Sequence, residues 1–167
     1  MAVRENFTDE EWGLVIQAPL VAGFAVTAAD PSGLIGAFQE SAAVARAMTA
    51  AKADAAAGSL LAEAVNAFDT SEARGIARDG VRELVKGRKP AEACEAAIVR
   101  LREISGIVRS NAPAEADAFN AWLLGIADSV AQAAKEGGFL GFGGEAVSDT
   151  EHKALADIDT ALTGAIT

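Results

Sequence analysis

The chain has 167 residues, a mass of 17.0 kDa and a formal net charge of −10. Its hydrophobic content of 51% excludes an intrinsically disordered chain, and its acidity argues against nucleic acid or an anionic membrane as the main partner. Abundant alanine, four prolines and 5% aromatic residues favour helices over sheets, and the lone Cys94 excludes an internal disulfide or a cysteine-based zinc site.

The first predicted helix begins at Thr8, whose side chain can form a capping box with Glu11. It continues into an uncharged stretch, Trp12–Ala29, that reaches the length of a transmembrane helix. Pro19 in the middle and acidic flanks without Lys or Arg oppose a membrane span, and the acidic beginning of the chain opposes a signal peptide. We therefore expect a helix, broken or kinked near Pro19, buried in the middle of a soluble, cytoplasmic protein.

A second helix is predicted from Asp30, a capping residue, and Pro31, which suits a first helical turn. This helix is predicted to run through Leu34, Phe38, Ala42, Ala45 and Met48. A short apolar helix should follow a break at residues 58–59.

The later helices have clear start and stop signals. One helix is capped by Thr70 or Asp69 and ends at Gly87. Two long helices begin at Pro90 and at Pro113. The last helix begins with a capping box formed by Ser148 and Glu151. Apolar residues at alternating spacings of three and four predict the inner faces of the two long helices; these residues are Cys94, Ala97, Ile98, Leu101, Ile104, Val108, Phe119, Trp122, Leu123, Ile126, Val130 and Ala134.

These elements predict an all-α fold, a compact Ala-rich bundle of about six or seven helices. No linker rich in Pro, Gly or Ser divides the chain, so we expect a single domain over residues 1–167. Gly75 and Gly80 weaken one predicted helix, and a neighbouring backbone packed against them would explain their presence.

A glycine-rich segment between Gly137 and Gly144 contains Phe139, Leu140 and Phe142. It lacks the Gly-Lys-Ser/Thr ending of a phosphate loop, and a helix rather than a strand precedes it. Two interpretations remain open. The aromatic side chains plug the end of the bundle, or the segment presents an apolar surface to a partner or ligand.

A basic row is the second candidate feature, because Arg74, Arg78, Arg82 and Lys86 recur every fourth residue on one helix face. Residues 71–110 carry nine basic and six acidic side chains, a balance of +3, whereas the rest of the chain has −13. The row could dock an acidic partner or a second copy of the chain. Alternatively it is a solvated face with ordinary i,i+3 ion pairs, such as Asp79 with Arg82 and Glu83 with Lys86.

Catalysis finds no support in the sequence. His152 is the single histidine and cannot form a multi-histidine metal site, no serine has a nucleophile-elbow context, and Cys94 belongs to an apolar stripe. We assign no catalytic residue, no metal ligand and no cofactor.

The run from Ala25 to Asp30, followed by a helix carrying Glu40, resembles the tellurite-resistance TerB-like helical domains over residues 20–50. The resemblance implies a helical fold and an acidic metal site. Pro31 stands where that family has glycine, and Glu40 comes later than in its pattern, so the metal site is not carried over. The chain also resembles the small all-helical proteins common in bacteria.

The sequence thus predicts a non-enzymatic interaction module, homo-oligomeric or bound to a protein partner, with neither nucleic acid nor membrane as its target. The candidate residues for a partner or ligand are Phe139, Leu140, Phe142, Arg74, Arg78 and Arg82. A pocket between helices for a small apolar or acidic ligand, or a cation, is the alternative function.

Overall fold

The computed structural model describes residues 3–29, 37–137 and 149–164, with side chains described for 3–29, 42–134 and 149–164. These ranges contain a short 3-10 helix at Val3–Asn6 and seven α-helices, with no strand. The helices are α1 Asp9–Ala29, α2 Ala37–Asp54, α3 Leu60–Ala67, α4 Ser71–Val85, α5 Pro90–Asn111, α6 Pro113–Gly137 and α7 Asp149–Thr163. The predicted all-α fold is confirmed.

Local capping explains where several of these helices begin. The Glu11 carboxylate accepts a hydrogen bond from the Thr8 N–H (2.8 Å), and Thr8 Oγ1 accepts one from the Glu11 N–H (3.2 Å). The bond from the Thr8 N–H, followed by side-chain hydrogen bonds from Asn111 and Thr8, lowers the pKa of the Glu11 carboxyl, so this cap is weakened only as the pH falls through that lowered value. The side chains of Ser59 and Thr70 cap α3 and α4 by accepting hydrogen bonds from the backbone N–H groups of Ala62 and Ala73, respectively.

Helix α1 lies in the middle of the fold and packs against α2, α4, α5, α6 and α7. It continues through Pro19 without a break, although proline removes one N–H donor from the helical ladder. Within the described ranges α1 is the one helix long and apolar enough to cross a membrane, and half of its most apolar window is buried inside the fold. The predicted central burial of this segment is confirmed.

The core is built around α1 by the predicted faces of α5 and α6, together with the buried residues of α7. On α5 the whole predicted stripe from Cys94 to Val108 is buried, and on α6 Phe119 is fully enclosed. Trp122 is half-buried, with its ring centroid 5.7 Å from that of Phe119. Alanines on these faces allow close helix approach, as expected for an Ala-rich bundle.

Helix α2 covers the predicted residues Phe38, Ala42, Ala45 and Met48, and Leu34 lies outside the described residues. Ala43 and Ala51 are buried, whereas Ala45 is exposed and Met48 is half-buried. Alanine occupies eight of the 18 positions of α2, so its sequence carries little periodic signal. Asp30 and Pro31, the predicted start of this helix, lie outside the described residues.

The two glycines of α4 have different environments. A Cβ at Gly75 would meet no atom of the described residues within 4 Å, so none of them provides the packing expected there. A Cβ at Gly80 would lie 2.2 Å from Oε1 of Gln17, and therefore a side chain of α1, rather than a backbone, requires this glycine. Gln17 is held in place because its Oε1 accepts a hydrogen bond from Arg100 Nη1 (2.7 Å).

Alanine substitutions at these two glycines should have opposite effects on stability. We expect Gly75→Ala to raise the free energy of unfolding by about 0.5–1 kcal/mol, since alanine is the better helix former. Gly80→Ala should lower it by about 1–2 kcal/mol, because the new methyl displaces Gln17 and breaks its bond to Arg100. Urea denaturation of both variants measures the difference, and equal stabilisation by both would contradict the packing described here.

Candidate functional site

A groove with a cavity volume of about 620 Å³ runs between α1, α2 and α4. Helix α1 forms the floor of the groove. The floor residues are three or four positions apart and therefore lie on one helical face: Leu20, Gly23, Phe24 and Thr27. Both α2 and α4 pack on α1, but among the described residues they make at most marginal contact with each other, and the groove lies between them.

The walls of the groove are apolar on the α2 side and mixed on the α4 side. Val44, Ala45 and Met48 line it from α2, and Val81 lines it from α4. Phe68, at the end of α3, and Val130 of α6 complete the apolar lining.

Gly23 determines how closely α1 and α2 approach beneath the groove. A Cβ at this position would lie 2.7 Å from Cγ2 of Val44 and 3.5 Å from Cγ2 of Val130. A larger residue would therefore have to displace α2, and the missing side chain leaves room on the groove floor.

Three arginines of the predicted basic row line the groove from α4: Arg74, Arg78 and Arg82. Arg74 Nη1 donates to the backbone oxygens of Phe68 (2.6 Å) and Asp69 (3.1 Å), so this residue also stabilises the end of α3.

The remaining members of the row differ in their partners. Arg82 pairs with Asp79 at 3.0 Å, as predicted from the sequence. Arg78, between Arg74 and Arg82, is exposed and makes no hydrogen bond or ion pair with any described residue. Lys86 does not line the groove, and the ion pair expected between Glu83 and Lys86 is not formed among the described side chains.

The other candidate residues cannot be placed at this site. Phe139, Leu140 and Phe142 lie outside the described residues, as does Asp30, and the side chain of Glu40 is not described. The described part of the chain contains no group of three or more His, Cys, Asp or Glu side chains that could hold a metal ion. The TerB-like resemblance, which depends on that acidic region, stays a prediction.

The apolar walls of the groove were missed by the sequence analysis, which assigned residues such as Met48 to the core. A signal was present, because α1 is apolar on every face whereas α4 beside it is strongly amphipathic. Because α1 is apolar on every face, any part of its surface that the neighbouring helices leave uncovered is apolar.

The surroundings of Cys94 disfavour reactions of its thiol. Its residue surface is 8% exposed, and its thiol donates a hydrogen bond to the backbone oxygen of Ala25 (3.3 Å). Burial, together with the carboxylates of Asp157 and Glu95, raises the pKa of this thiol, so the neutral form dominates near neutral pH. The predicted packing role of Cys94 fits this environment.

We expect the Cys94 thiol to react with Ellman's reagent far more slowly in the folded protein than in urea, because the thiolate is both shielded and disfavoured. A matched control is the double variant Cys94→Ala, Ala118→Cys, whose new thiol replaces an exposed residue of α6. Rapid labelling of the native protein, at the rate of the control, would contradict the buried position.

A buried polar cluster at the end of α7 has a structural role. The backbone oxygen of Leu162 accepts hydrogen bonds from Ser105 Oγ (2.9 Å), Asn120 Nδ2 (2.9 Å) and Arg109 Nη2 (2.8 Å). These donors satisfy one of the carbonyl groups that every helix leaves unpaired at its C-terminus, and they attach α7 to α5 and α6.

Comparisons with known protein families, with curated proteins and with solved structures give no match for this chain. Functional inference therefore depends on the chemistry of the groove.

Proposed function

We propose that this protein is a non-enzymatic binding protein that holds an apolar group in the groove between α1, α2 and α4. The observation that carries the proposal is a cavity of about 620 Å³ whose lining is mainly apolar. Pockets that bind small molecules have volumes of about 300–1,000 Å³ and combine apolar walls with a few polar groups.

The residue types at the groove favour binding over catalysis. Its polar lining consists of Thr27 and three arginines, and among the described residues no carboxylate, histidine or cysteine lines it. General acid–base or nucleophilic catalysis needs such a group within hydrogen-bond reach of the substrate. Arginine and apolar side chains instead provide affinity and orientation.

Association with a second copy or an acidic protein partner is a second candidate function. The charge distribution favours it, because residues 71–110 have a balance of +3 and the rest of the chain has −13. In this proposal the basic row receives an acidic surface, with or without the apolar residues Phe139, Leu140 and Phe142.

A neutral fluorescent probe tests the proposed groove. We expect phenylnaphthylamine to bind the native protein with an increase in its fluorescence, because the groove removes its rings from water. Ala45→Phe should weaken that binding by about tenfold or more, since the new ring fills part of the cavity next to Met48. Fluorescence titration gives the affinities, and circular dichroism confirms the fold of each variant.

Ala53→Phe is the matched control, because Ala53 is exposed on the same helix and does not line the groove. Its probe affinity should equal that of the wild type. If phenylnaphthylamine does not bind the wild-type protein, this result alone contradicts the proposed function.

Native mass spectrometry separates the two candidate functions. A monomer that retains or accepts a small ligand favours the groove, whereas an oligomer that dissociates at high salt favours association through the basic row. In the second case, serine at Phe139 and Phe142 tests the contribution of that segment: helicity should persist while association weakens.

A further inference from the structure

We propose that the ligand of the groove is a single-chain amphipathic anion, whose acidic head group binds Arg78 while its apolar chain lies along α1 and α2. This inference rests on the proposed function and adds the chemical class of the ligand. It follows from the arrangement of charge, and not only from the presence of a cavity.

The groove has two chemically different sides. Residues of α1 and α2 along it are apolar or small, whereas α4 places a guanidinium at every turn from Arg74 to Arg82. Side chains four residues apart on a helix are neighbours, so the three guanidinium groups form a continuous cationic edge. A ligand that fits both sides needs an apolar body and a negative end.

Arg78 is the member of the edge that is available to a ligand. Arg74 donates to two backbone oxygens at the end of α3, and Arg82 pairs with Asp79. Arg78 lies between them and has no partner among the described residues. Its planar guanidinium can form two parallel hydrogen bonds to a carboxylate, phosphate or sulfate group.

The adjacent charges also select against other head groups. A cationic amphiphile would place like charge beside three arginines, and a neutral one would gain no ion pair with Arg78. The whole chain has a net charge of −10, so the attraction for an anion is local to the α4 edge. Screening by salt should accordingly weaken binding of the anion and leave binding of a neutral chain unchanged.

Displacement of phenylnaphthylamine by decanoate and by decanol tests the inference, because these two ligands share a chain length and differ in charge. We expect decanoate to bind the wild-type protein about fivefold more tightly than decanol, as an ion pair with an exposed guanidinium permits. Arg78→Gln should reduce the affinity for decanoate by about the same factor and leave that for decanol unchanged. Arg102→Gln, which removes an exposed charge of α5 away from the groove, should alter neither.

The outcomes distinguish this inference from the function on which it rests. If the probe binds but decanoate and decanol compete equally, or if Arg78→Gln and Arg102→Gln behave alike, the anionic head group is wrong and the apolar groove stands. If the probe does not bind the wild-type protein at all, both proposals are overturned. Binding of decanoate that is lost in Arg78→Gln, with binding of the probe retained, supports the inference.

Discussion

The structure depends on the burial of α1, a 21-residue helix that is apolar on all sides. A helix of this kind has no face suited to water, so it is stable in a globular fold only when other helices surround it. Helices α4, α5, α6 and α7 cover most of it, and each offers one apolar stripe to α1. The same burial explains why Pro19 is tolerated, since Pro19 is itself buried and the packing around it keeps the helical path although one ladder hydrogen bond is missing.

Incomplete coverage of α1 produces the candidate site. Where α2 and α4 diverge, the face of α1 that carries Leu20 and Phe24 is not fully covered, and both residues stay half-buried. Exposed apolar surface of this kind is costly in water, and proteins that retain it commonly use it to bind. The groove is therefore a consequence of the same all-round apolar helix that organises the core.

The sequence predicts the helices better than it predicts the site, for physical reasons. Caps such as Thr8 with Glu11 are local, so a few neighbouring residues determine them, and the stripe from Cys94 to Val108 has a strong period. The groove depends on the relative position of α2 and α4, which are distant in sequence. Because alanine occupies eight of the 18 positions of α2, the periodic pattern of this helix is too weak to indicate which face meets α1.

The basic row illustrates how one pattern can serve several purposes. The equal spacing along α4 places the arginines of the basic row on one face of the helix. Their neighbours nevertheless give them different roles. Arg74 fixes the end of α3, Arg82 forms a solvated ion pair with Asp79, and Arg78 faces the groove without a partner among the described residues. Only the structure separates these roles, because the partner oxygens of Arg74 belong to the backbone and carry no sequence signal.

Gly23 links the stability of the bundle to the properties of the groove. The absence of its side chain lets α2 approach α1 through Val44, and the same absence forms part of the groove floor. A ligand that fills this space makes new contacts with α1, α2 and α4 together, which the unfolded chain cannot offer. Binding must therefore stabilise the folded state, by an amount set by the ratio of free ligand to its dissociation constant. In the proposed complex, the ligand joins α2 to α4, two helices that make at most marginal contact with each other among the described residues.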